Sequence, residues 1–112
     1  MAGKFELKKS TNGQFYFNLK AGNGEVILTG ETYTSKPGAL SGIASVRVNA
    51  PVDERYVRNT STNGQPFFTL KAANGEALGR SEMYSSSAAM ENGIASVKAN
   101  APSATLDDQA GA

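Results

Sequence analysis

Polar and apolar residues alternate at the start of this chain, in Lys4-Phe5-Glu6-Leu7-Lys8, and that period of two predicts a strand with one buried face. Asn12-Gly13 follows, a pair that tolerates positive φ and signals a hairpin. Alternation resumes in Gln14-Phe15-Tyr16-Phe17-Asn18-Leu19-Lys20, with Phe15, Phe17 and Leu19 on the core side. Ala21-Gly22-Asn23-Gly24 turns the chain into a third strand over residues 25–30. The period then lengthens. Ala39, Ile43, Val46 and Ala50 fall on one helical stripe, with Ser35 as N-cap and Pro37 in the first turn, where its missing N–H costs little. Asn49-Ala50-Pro51 stops the helix, because the residue before proline is pushed out of helical geometry.

The whole pattern is then written again. Residues 4–51 align with residues 55–102 at a constant offset of 51, and 23 of the 48 pairs are identical. Strands are expected over 55–59, 65–71 and 76–80, and the second helical stripe reads Met90, Ile94, Val97 and Ala101. Gly42 and Gly93 recur in the middle of the helices at about 1 kcal/mol each against Ala, so a close approach of helix to sheet is expected there. Residues 52–54 and 103–106 have the length for a short extra strand after each helix. The expected fold is α+β: two tandem β-β-β-α(-β) repeats, an antiparallel sheet with both helices on one face, and an approximate two-fold axis. Repeat one spans residues 1–54, repeat two 55–106, and 107–112 reads as an acidic, flexible tail. A lone unit of about 50 residues buries too little surface to be stable, so the two repeats are expected to fold as one monomeric domain.

Charge changes this picture little. The net charge is +1, divided as +3 over residues 1–51 and −2 over residues 52–112, far from the basic stripe of a dedicated nucleic-acid binder. The longest aliphatic run, Val26-Ile27-Leu28, is much too short for a membrane span, and no apolar leader follows Met1, so a soluble cytoplasmic protein without membrane association is expected. The chain has no Cys and no His, which removes disulfides, the usual zinc ligands, the thiol nucleophile and the commonest general base. No cofactor or metal is expected.

Any chemistry would rest on carboxylates, Lys, Tyr and Ser. Glu31 and Tyr33 recur as Glu82 and Tyr84 just before the helices, where a paired-carboxylate site near the two-fold axis competes with simple ring packing and helix-dipole stabilisation. Lys20 and Glu25, like Lys71 and Glu76, flank a four-residue loop and are expected to oppose each other across a hairpin. The Gly-Asn-Gly loop is a poor phosphate cradle, since it joins strand to strand and not strand to helix. Tyr16 and Phe67 share a register on the face opposite Phe17 and Phe68, with Lys8, Lys20 and Lys71 available beside them. Such a face can be a cross-strand ladder, a protein interface or a stacking surface for single-stranded nucleic acid, in that order.

With Gly42-Ile43-Ala44-Ser45-Val46, Lys20-Ala21-Gly22-Asn23-Gly24-Glu25 and Tyr33-Thr34-Ser35 all present and repeated, the chain resembles the duplicated branch of the YegP-like family from residue 1 to about 106. The resemblance implies tandem β(3)-α-β units in one sheet, with the C-terminal strand of each exchanged onto the other. It implies no activity, substrate or cofactor, and so assigns no functional residue. The second copy departs from the first where Leu7 becomes Arg58, Val26 becomes Ala77 and Leu28 becomes Gly79. The resulting expectation is a non-catalytic binding or scaffold module, working through its open sheet face or the groove between repeats, with a protein as the partner. The alternatives are weak single-stranded nucleic-acid binding and an enzyme using Glu31 and Glu82.

Overall fold

The computed structural model describes residues 3–110. Each hairpin closes at its Asn-Gly pair, where Gly13, Gly24, Gly64 and Gly75 take φ between 83° and 88°, a region that side chains bearing a Cβ rarely adopt. Those turns set the register of β1 (Lys4–Lys9), β2 (Phe15–Lys20) and β3 (Val26–Gly30), followed by α1 (Lys36–Asn49). The second copy supplies β4 (Tyr56–Thr60), β5 (Pro66–Lys71), β6 (Ala77–Arg80) and α2 (Ser87–Asn100). A last strand, β7, runs from Thr105 to Asp108. Ser35 caps α1 by accepting from the Gly38 N–H at 3.1 Å, and Ser86 caps α2 by accepting from Ala89 at the same distance.

The strands form one seven-stranded sheet in the order β4-β5-β6-β3-β2-β1-β7. The repeats meet where β3 pairs antiparallel with β6, Thr29 opposite Arg80. These two are equivalent positions under the offset of 51, so the pseudo-two-fold axis passes between them. Both β2–β3 and β5–β6 carry a bulge at the same place, leaving Ile27 and Leu78 as the extra residues, and both are buried.

One core serves both copies. Phe5, Leu7, Phe17, Leu19 and Leu28 from the first sheet half, and Tyr56, Phe68 and Leu70 from the second, meet Ile43 and Val46 of α1 and Ile94 and Val97 of α2. Tyr33 stacks on Phe17 with ring centres 6.3 Å apart, and Tyr84 stacks on Phe68 at 6.4 Å. Their hydroxyls ride on the helices. A Cβ placed at Gly42 would overlap the Tyr33 hydroxyl, and one at Gly93 the Tyr84 hydroxyl. The close neighbour of each mid-helix glycine is therefore a tyrosine, and the close approach of helix to sheet is made through a ring stacked on a sheet phenylalanine.

The helices also tie the copies together through their last turns. Arg47 of α1 lies over the Phe5 ring at 4.9 Å and donates to the carbonyls of Ala101 and Ala104, just beyond α2. The equivalent Lys98 of α2 lies over Tyr56 at 5.6 Å and donates to Asp53 at 2.7 Å, just beyond α1. Each helix thus clamps the connector that follows the other.

Three expectations change. The sheet is mixed: β7 adds to the outer flank of β1 in parallel, Phe5 opposite Leu106. The exchange of terminal strands is one-sided, because residues 53–55 form a 3-10 turn that runs directly into β4 and leaves no length for a strand of their own. The acidic tail begins later than expected. Asp107 and Asp108 belong to β7, the Gln109 N–H donates to the Leu7 carbonyl at 2.8 Å, and Ala110 packs on the core; residues 111–112 lie outside the described residues.

Candidate functional site

Strand alternation leaves the sheet face opposite the helices without a covering element among the described residues. Reading across it, one row runs Asp107, Glu6, Asn18, Thr29, Arg80, Thr69, Val57, one residue from each strand. The first-copy end of that row is ionic. Glu6 is only 4% exposed on this open face because lysine side chains lie over it. Lys20 is 3.1 Å from its carboxylate, Lys4 3.6 Å and Lys8 3.7 Å, and the Gln109 amide donates to it at 3.3 Å. Burial works against the charged form, but the three ammoniums, Lys20 foremost, outweigh it and hold the carboxyl below its usual range. The second-copy end has no such cluster: Val57 stands in place of Glu6 and Asn59 in place of Lys8.

Tyr16 and Phe67 are half-buried on this face, as expected. They do not form one platform. Each lies two residues from the central row, in opposite directions on antiparallel strands with two strands between them, which places them about 20 Å apart. Lys20 and Lys71 do not face Glu25 and Glu76. The bulges set Lys20 opposite Val26 and Lys71 opposite Ala77, and the Lys20 ammonium turns to Glu6. Lys71 makes no ion pair among the described residues.

At the two-fold axis the strand ends leave an open cleft of about 340 Å³, lined by Thr29, Gly30, Glu31, Thr32, Arg80 and Ser81. Glu31 is part of it and Glu82 is not, so the two carboxylates are not brought together as a pair. The Ser81 hydroxyl is already engaged: it accepts from the Phe68 N–H at 2.9 Å and donates to the Glu82 carbonyl at 2.8 Å. Sequence reasoning missed Arg80. Its signal was available only as the contrast with Thr29 at the equivalent position, and that contrast gains meaning once β3 is known to meet β6.

Tyr33 and Tyr84 sit apart from this cleft, on the helix side. Tyr84 lines a groove of about 210 Å³ between α2 and the β2–β3 turn, with Asn23, Glu25 and Asn92 around it. Burial, then Glu82 and Glu25, raises the Tyr84 phenol; burial, then Glu31 and Glu76, raises Tyr33. A phenol kept protonated in this way is a donor and not a base. Among the described residues no group of three or more His, Cys, Asp or Glu is placed to hold a metal ion, and no helix is long and apolar enough to cross a membrane.

Comparison with known proteins agrees with this architecture. A domain of unknown function, DUF1508, matches twice in tandem, over residues 10–56 and 61–108. The chain is 55% identical over 108 residues to a UPF0339 protein of Shewanella oneidensis, and 58% identical over 108 residues to the UPF0339 protein YegP of Escherichia coli, covering 96% of this chain and 98% of each relative. Two solution NMR structures share the fold. A UPF0339 protein from Shewanella oneidensis superposes with a TM-score of 0.92 at 54% identity, covering 98% of this chain and 93% of that one. The E. coli yegP protein, described as of unknown function, superposes with a TM-score of 0.94 at 57% identity, covering 100% and 97%. With near-complete coverage, two family matches and the same fold, the chain belongs to the UPF0339 (YegP) family in its two-repeat form.

Proposed function

We propose that this protein is a non-catalytic binding module that receives a protein partner on its uncovered sheet face. One observation carries the reading: on a face spanning seven strands, half-buried Tyr16 and Phe67, the 37%-exposed Val57 and Lys71, which has no ion pair, are covered by no other element among the described residues. Aromatic and aliphatic groups surrounded by cations are the composition of an interface that gains from desolvation at its centre and from charge at its rim. The separation of Tyr16 from Phe67 supports a broad protein surface over a nucleic-acid strand, whose successive bases stack on neighbouring aromatics.

The test compares capture from cell lysate by the full chain and by two variants, with and without nuclease. Phe67→Glu should abolish retention of a discrete, nuclease-resistant protein, whereas Val48→Glu on the exposed helix side should not. Equal retention by both variants removes the sheet face from consideration. Retention that disappears on nuclease treatment moves single-stranded nucleic acid into first place.

A further inference from the structure

The arginines of this protein, with one exception, have partners inside the molecule. Arg47 donates to the carbonyls of Ala101 and Ala104, Arg55 to the Asn49 amide oxygen, and Arg58 to Glu91 and Asp53. Arg80 has none among the described residues, and it lines the cleft at the two-fold axis. Glu31 lines the same cleft, and its carboxylate likewise has no hydrogen bond or ion pair among the described residues; the two side chains do not pair with each other. A perfect two-fold would present identical groups on both sides of the axis. Here the first copy contributes Thr29, Gly30, Glu31 and Thr32, and the second contributes Arg80 and Ser81, so one cleft has an anion and a cation.

From this pairing we infer that the axial cleft binds a small zwitterion, an α-amino acid, with its carboxylate on Arg80 and its ammonium on Glu31. The planar guanidinium offers two parallel N–H donors to a carboxylate, a geometry that an ammonium such as Lys71 cannot supply. The Glu31 carboxylate accepts from the ligand ammonium. Thr29 and Thr32 are exposed and leave their hydroxyls to the ligand, while the doubly bonded Ser81 hydroxyl shapes the wall without contributing a contact. About 340 Å³ lies at the small end of ligand sites, which matches one amino acid better than a longer chain. Copy divergence builds the site. Position 29 is Thr and its equivalent, 80, is Arg; position 30 is Gly and its equivalent, 81, is Ser.

This inference shares a face with the proposed protein interface but not its partner, and the two fail separately. The experiment is a titration of the ¹⁵N-labelled full chain with L-alanine, followed by amide shifts, with acetate and methylammonium as the separate halves of the ligand. Saturable shifts confined to residues 29–32 and 80–81 are expected, with either half alone binding at least about tenfold more weakly. Arg80→Thr, which copies the residue at the equivalent position, and Glu31→Gln should each weaken alanine binding by about tenfold or more. Phe67→Glu should leave it unchanged. Absence of saturable shifts at these residues overturns the inference. So does acetate binding as tightly as alanine with Glu31→Gln silent, since the cleft would then be a plain anion site.

Discussion

β1 and β4 are equivalent strands of the two copies, yet β1 lies inside the sheet and β4 at its rim. β7 covers the outer flank of β1, and Leu7 there is fully buried. The outer flank of β4 has no strand among the described residues, and the equivalent position is Arg58, donating to Glu91 at 2.6 Å and to Asp53 at 3.0 Å. A duplicated unit presents two equivalent edges, but this chain has a single terminal strand to cover them. The copy left uncovered has charge where the covered copy has leucine, a known guard against edge-to-edge pairing. The same contrast runs through the open face, where the first copy buries Glu6 under lysines and the second shows Val57.

Exchanging the two equivalent residues puts the largest strain on that contrast. Leu7→Arg places a charge where no water reaches and should cost about 4 kcal/mol in urea unfolding. Arg58→Leu should change stability by no more than about 1 kcal/mol, since a partly exposed ion pair contributes little. It should instead raise self-association, visible in sedimentation, by removing the guard from β4. A small loss for Leu7→Arg would mean that β7 does not protect the β1 edge.

The helix glycines sharpen the comparison from the other side, as a feature both copies share. Gly42→Ala and Gly93→Ala should each cost about 2 kcal/mol, although alanine favours the helix itself by about 1 kcal/mol, because each Cβ meets a tyrosine hydroxyl. The two losses should agree closely. Adding Tyr33→Phe to Gly42→Ala should recover part of the first; a full loss with phenylalanine present would place the conflict elsewhere.

The two clamps should differ again. Arg47→Ala removes two hydrogen bonds to carbonyls and a contact with Phe5, and should cost about 2 kcal/mol in thermal unfolding. Lys98→Ala removes one exposed ion pair with Asp53 and a more distant contact with the Tyr56 ring, and should cost less, about 1 kcal/mol. Equal losses would show that the connector geometry, and not the chemistry of the cation, carries the clamp.

The smallest effect is a pH dependence that the first copy should own. Glu6 is held below its usual pKa when folded, so its contribution is complete above the unfolded carboxyl value of about 4.3. It is lost as the pH falls through the lower folded value. Glu6→Gln should therefore cost about 1 kcal/mol near neutrality, and the difference from the natural chain should vanish in acid. Asp53, Glu91 and Asp108 are also held low, by Lys98 and Arg58, by Arg58, and by Lys36 respectively, and stay in the variant as the remaining acid limb. A difference that persists unchanged in acid would mean that Glu6 acts by packing alone.

Most elements are legible in the sequence. Alternation located the strands to within about a residue, and Ser35 and Asn49-Ala50-Pro51 bracketed α1, because local sterics and side-chain period decide such features. The sites were far less legible. Lys20 looked like a partner for Glu25 because a hairpin without a bulge would oppose them, and the bulge at Lys20 is a matter of how β2 packs on β3. Glu31 and Glu82 looked like a pair because the axis was evident, but which residues line it depends on how far β3 and β6 slide past one another. Nothing near Arg80 in the chain marks it out.

The sequence alone determined that there are two copies and that each is a three-stranded meander followed by a capped helix, and it leads to the expectation that one copy buries too little surface to stand alone. These follow from residue period, turn chemistry and the burial available to a short chain, all local or additive properties. Tertiary structure decided which edge β7 covers, why Leu7 and Arg58 differ, why Gly42 and Gly93 recur, and which charges meet at the axis. Those answers depend on contacts between residues as far as 103 positions apart, such as Glu6 with Gln109, and no periodicity along a chain encodes such pairings.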